Sequence, residues 1–132
     1  MSPQSRKRKK PVRRPAASPP RSRGLSRIKK LAPEYLMWSE QRGWRREFAA
    51  EDWDLLVAFA EHYTGHASLP APDAFDAEVV DRILQRLEPD NAEWLSAVLS
   101  DYLMFLRGTG RWTRDRDAYF ELCLVVEPAD EP

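Results

Sequence analysis

Between residues 31 and 126, apolar side chains recur at spacings of three and four, the period of a helix that buries one face. Leu31, Tyr35 and Trp38 make the first stripe, with Pro33 suited to a first helical turn and Gly43 to a C-terminal stop. Trp44 and Phe48 follow in a connecting segment. The clearest stripe is Trp53, Leu56, Val57 and Ala60, widened by Phe59 and Tyr63. Glu51, Asp52 and Asp54 precede or begin it, which predicts a helix starting near residue 51 with carboxylates against its positive end. Gly65 ends it, and a proline-containing loop runs from His66 to about Phe75.

Asp76 has the short oxygen-bearing side chain of a helix N-cap, and Val79, Val80, Ile83, Leu84 and Leu87 follow at helical spacing until Pro89 forbids continuation. A further helix starts near Asn91. Its apolar positions (Trp94, Leu95, Val98, Leu99, Tyr102, Phe105, Leu106) cover so wide a face that it is expected at the centre of the fold. Gly108 and Gly110 close it, and Thr113 can cap a last element containing Phe120, Leu122, Val125 and Val126. The run from 119 to 126 has the β-branched and aromatic content of a strand. A lone strand would have no partner here, so helix is the expectation. The fold class expected is all-α: a small bundle of four to five helices with short, antiparallel joints.

The first thirty residues show none of this patterning. They hold twelve Lys or Arg residues and no acid, with five prolines before position 21. Such a segment buries too little apolar surface to offset its ordering entropy, and the prolines interrupt any helix. Residues 1–30 are therefore expected to be a disordered basic tail, and 31–132 an acidic helical domain.

Charge sharpens this division. The whole chain has 21 basic and 21 acidic residues, but the tail carries +12 and residues 31–132 carry −12. Arg6, Lys7, Arg8, Lys9, Lys10, Arg13 and Arg14 concentrate positive charge on one short segment. Such a segment can follow a phosphate backbone and gain from counterion release. The tail has no aromatic residue for base stacking, so association with nucleic acid, the ribosome or anionic lipid would be non-specific. Two other readings stand beside this one: a tail that is merely solvated, and a tail that folds back loosely on its own acidic domain.

Other chemistry is sparse. A recognition helix would present Arg, Lys, Asn or Gln to the DNA major groove, whereas the helix from Asn91 carries Glu93 and Asp101 and no basic residue before Arg107. His62 and His66 have the four-residue spacing of a shared helical face, but only Glu61 stands near as a third ligand, so two surface histidines are the plainer expectation. Cys123 is the single cysteine, in an apolar run, where it suits packing better than nucleophilic chemistry. The five glycines form no phosphate-binding loop. No enzyme activity and no cofactor are expected.

No apolar run approaches the roughly 20 residues of a membrane span, and no apolar stretch follows the basic N-terminus as a signal peptide requires. A cytoplasmic protein is expected, or a nuclear one if the source is eukaryotic, where the basic run would also read as an import signal. Five Trp, four Tyr and five Phe all lie beyond residue 33, mostly on helix faces. Trp38, Trp44 and Trp112 are the least explained by core packing. Trp44 with Arg45 and Arg46, and Trp112 with Arg111, combine the residue types that anchor protein interfaces. The expectation is a small interaction or accessory protein, its domain binding a protein partner and its tail adding attachment to a polyanion. The alternative is a nucleic-acid-associated protein acting mainly through the tail.

Overall fold

The computed structural model describes residues 22–126. Six helices occupy this span: α1 (Arg23–Lys30), α2 (Ala32–Gln41), α3 (Arg46–Tyr63), α4 (Ala77–Gln85), α5 (Pro89–Gly108) and α6 (Arg116–Val126). No strand occurs among the described residues. The all-α class holds, with six helices in place of the four to five expected.

The additional helix is α1, taken from what reads as the end of the tail. Its residues sit beyond the last tail proline, Pro20, and place Ile28 fully buried and Gly24 against the loop before α4. Gly24 N–H donates to the Leu69 carbonyl at 2.7 Å. A Cβ at position 24 would lie 2.6 Å from the carbonyl oxygens of both Leu69 and Ala71, so only glycine permits this approach. Composition made these residues look unfoldable alone; the rest of the molecule supplies the apolar surface they lack. Helix thus occupies the eight residues before the charge division at residue 30.

Other ends shift for local reasons. α2 keeps Pro33 in its first turn and ends before Gly43, whose φ of +92° is the left-handed geometry glycine adopts freely. α3 starts at Arg46, so Glu47, rather than Glu51, Asp52 and Asp54, lies in its first turn. Asp76 caps α4 as expected, its carboxylate accepting from Val79 N–H at 3.2 Å. α5 begins with Pro89 in its first turn, where a missing N–H costs nothing. Residues 119–126 are helical within α6. Its first turn is closed by Asp115 Oδ1, which accepts from Ala118 N–H at 2.9 Å, and not by Thr113.

α5 runs through the centre, packing on α3, α4 and α6 and burying Tyr102, Phe105 and Leu106 completely. α2 lies along α3, and α1 bridges both. Rings fill the junction of α2, α3 and α5. Tyr35 is 4.8 Å from Trp53 and 5.3 Å edge-on from Phe105, separations at which ring quadrupoles attract. Trp38, unexplained by sequence, packs on this cluster edge-on to Phe105 at 5.6 Å. A second cluster joins Phe59, Tyr63 and Phe75, and so ties the long loop to α3. Asp76 N–H donates to the Tyr63 hydroxyl at 2.8 Å, holding the start of α4 to the end of α3.

Candidate functional site

Arg6, Lys7, Arg8, Lys9, Lys10, Arg13 and Arg14, the expected polyanion-binding residues, lie outside the described residues. What the structure adds is a cationic surface where the body begins. On α1, Arg23, Arg27 and Lys30 follow the i, i+4, i+7 spacing of one helical face, and all three are exposed. The flanking face, with Gly24 and Ile28, is buried. Lys29 points elsewhere and pairs with Glu61 at 3.2 Å. The last two members of the stripe, Arg27 and Lys30, line a groove of about 420 Å³ together with Arg111 from the α5–α6 connection. Arg111, one of the five residues expected to bind a partner, is therefore part of a cationic surface that α1 completes. Without α1 recognised as a helix, periodicity could not have shown this.

The groove floor is built, not accidental. Asp73 is 2% exposed, and its Oδ2 accepts from Thr113 N–H at 2.5 Å and from Thr113 Oγ at 2.8 Å. Arg114 donates to the carbonyls of Asp73 and Phe75 at 2.9 and 2.8 Å. Tyr102 hydroxyl donates to the Pro72 carbonyl at 2.8 Å. These bonds clasp the loop before α4 onto α5 and the α5–α6 connection, the same loop whose carbonyls receive α1. Burial pushes the Tyr102 hydroxyl strongly upward, with the Asp73 charge adding to it, so it stays a neutral donor.

The remaining expected partner-binding residues separate into two places, and no hydrogen bond, ion pair or ring contact joins them among the described residues. Trp44 is half exposed at the α2–α3 corner, beside the equally exposed Phe48. Arg45 pairs with Glu47 and stacks over Phe48 at 5.2 Å; Arg46 pairs with Glu40 at 2.8 Å. Both ion pairs are exposed and contribute little to stability. Trp112 is instead half-buried against the core. It meets Tyr119 edge-on at 5.2 Å, and its indole N–H donates to the Asp115 carbonyl at 3.1 Å.

His62 and His66 come together at the end of α3, with their Nε2 atoms 3.2 Å apart. No group of three or more His, Cys, Asp or Glu residues suited to a metal occurs among the described residues. Trp94, assigned by periodicity to the buried face of α5, is half exposed, and its indole N–H reaches Asp52 Oδ1 at 3.5 Å. Asp52 and Asp101 face each other across α3 and α5. Burial raises both carboxyls above the ordinary range, and their mutual repulsion adds to the shift at Asp101. No helix of the described residues is long and apolar enough to cross a membrane.

No family model matches the chain, and neither a curated protein nor a solved structure is significantly similar to it.

Proposed function

We propose that this chain is a non-enzymatic accessory protein, with a helical body that binds a protein partner and basic N-terminal residues that attach it to a polyanion. The observation that carries the reading is the α1 stripe. Arg23, Arg27 and Lys30 extend the positive charge of residues 6–21 onto a rigid surface, which meets Arg111 across the groove. A basic run by itself gives attraction without geometry; a helical stripe of cations gives successive phosphates fixed positions to occupy. Nucleic acid is the polyanion that suits this layout, and its reading would be independent of sequence because no aromatic side chain lies before Tyr35. The exposed apolar and aromatic side chains of the body support the protein-partner half of the reading.

The test is a pull-down from native lysate with the full chain and with residues 22–132, each with and without nuclease. Retention of the same protein by both forms after nuclease supports the interaction module. If only the full chain retains anything, and nuclease removes it, the body is a carrier and the basic residues hold the function. The truncation must end at residue 21, since removing residues 1–30 would also remove Ile28 from the core.

A further inference from the structure

The body also contains a groove distinct from the α1 surface, lying where α3 meets α4 and the start of α5. One section, about 320 Å³, is apolar: Leu55 and Phe59 face Leu87, Trp94 and Leu95 across it. The next section, about 380 Å³, shares His62, Ile83 and Leu87 with the first, so the two are continuous. Its other lining residues include His66, Arg82 and Arg86. No carboxylate lines either section, although eighteen Asp or Glu residues fall between positions 22 and 126. Arg82 on α4 and Arg86 at its C-cap stand four apart, both exposed, and neither forms an ion pair with a carboxylate among the described residues. The bond between the two imidazoles needs one ring to donate and the other to accept. In the neutral pair the accepting ring carries its proton on Nδ1 and the donating ring carries none there, so one outer N–H remains to meet an acceptor. The groove is therefore apolar at the Trp94 end and cationic at the Arg82–Arg86 end.

We propose that this groove docks an amphipathic helix of a protein partner, with carboxylates in that helix's first turn. The inference rests on the protein-partner half of the function proposed above and names the surface and the chemistry it takes. A helix accommodates Asp and Glu best at its N-terminus, where they oppose its dipole, and presents apolar anchors at i, i+3 or i+4, and i+7. Laid in the groove, it sets its first turn over Arg82, Arg86 and His66. Its apolar stripe then runs along Ile83 and Leu87 to Trp94. The charge gradient of the groove fixes the direction as well as the composition of the ligand.

The experiment selects binders to the immobilised full chain from a display library of random peptides of about 16 residues, about four helical turns. Affinity of the enriched peptides is then measured by fluorescence anisotropy. Expected are sequences with acidic residues followed by apolar positions at helical spacing. Binding should weaken about tenfold or more in Arg82→Glu/Arg86→Glu, and comparably in Trp94→Ala. It should be unchanged in Arg23→Glu/Arg27→Glu, on the other cationic surface. Arg82 and Arg86 are both exposed, so the charge variant should melt like the parent; should Trp94→Ala unfold, the charge variant decides alone.

The proposal is overturned if no peptide is enriched, if enriched peptides carry their acids at the C-terminal end or lack them, or if both groove variants bind as the parent does. It is also overturned if the arginine pair governs capture of phosphatidylserine vesicles and not of peptides. Failure here is separable from failure of the module. If the charge variant still captures the parent's lysate partner, the groove assignment falls and the module stands. If enriched peptides bind as expected while the body captures nothing from lysate, the groove stands and the module falls.

Discussion

A single missing side chain decides whether the first helix can dock. Gly24 sits with its α-carbon against two backbone carbonyls, and backbone cannot swing aside as a flexible side chain can. Gly24→Ala should therefore cost about 2 kcal/mol or more, although alanine is the better helix former in isolation. Ile28→Ala empties a fully buried site and should cost about 2–4 kcal/mol. Urea unfolding followed by circular dichroism measures both, and a Gly24→Ala protein more stable than the parent would disprove the close packing. Asp73 is the polar counterpart. Replacing it with alanine leaves the N–H and hydroxyl of Thr113 without their acceptor, at a cost of about 1–3 kcal/mol. Thr113→Val removes only the hydroxyl bond and should cost less in the same experiment.

Between elements, the telling contact is that of α3 with α5, where Asp52 and Asp101 are both held above the ordinary carboxyl range by burial. A carboxyl raised in the folded state binds its proton more tightly there than in the unfolded chain. Its contribution to stability is full below the unfolded value and is lost as pH rises through the folded one. Asp101→Asn should accordingly raise the melting temperature at neutral pH and leave it nearly unchanged in acid, where the parent is already protonated. A melting series across the acid range checks this; an Asn variant less stable at neutral pH would show that attraction to Arg42 outweighs burial. Tyr35 shows the same sign at the alkaline end. Burial, with the Asp101 charge second, pushes its hydroxyl up to about 12. Stability should fall as pH climbs from the ordinary tyrosine value toward that point, and Tyr35→Phe should flatten this part of the profile.

Taken whole, the described body is less acidic than residues 31–132 alone. Between residues 22 and 126 there are thirteen basic and eighteen acidic side chains, a net of −5, because α1 belongs to the body and three acids lie beyond Val126. Polyanion binding should then survive in part when residues 1–21 are removed. Its dependence on salt should fall further when Arg23, Arg27 and Lys30 are replaced by alanine, by roughly 0.7 of a unit of log–log slope for each phosphate no longer neutralised on a single strand. Filter binding of single-stranded nucleic acid over a salt series measures this. An unchanged slope in the triple variant would confine the interaction to residues 1–21.

Sequence alone determined the helical class, the positions of α2, α4 and α5 within a few residues, the end of α3 but not its start, and the opposite charges of the two ends. These follow from periodicity, prolines, capping residues and composition, all of which act over a turn or two of chain. Three things only the tertiary structure decided. α1 is a helix because Leu69 and Ala71, more than forty residues away, receive it. Trp112 is packed on the core while Trp94, with the better apolar spacing, is half exposed, because a helical stripe wider than its neighbours leaves one edge uncovered. The two grooves join residues from separate elements, Arg111 with Arg27 and Lys30, and Arg82 with His62 and His66. Local pattern carries the period of an element and not the identity of its neighbours, so both candidate surfaces became visible only once the helices were packed.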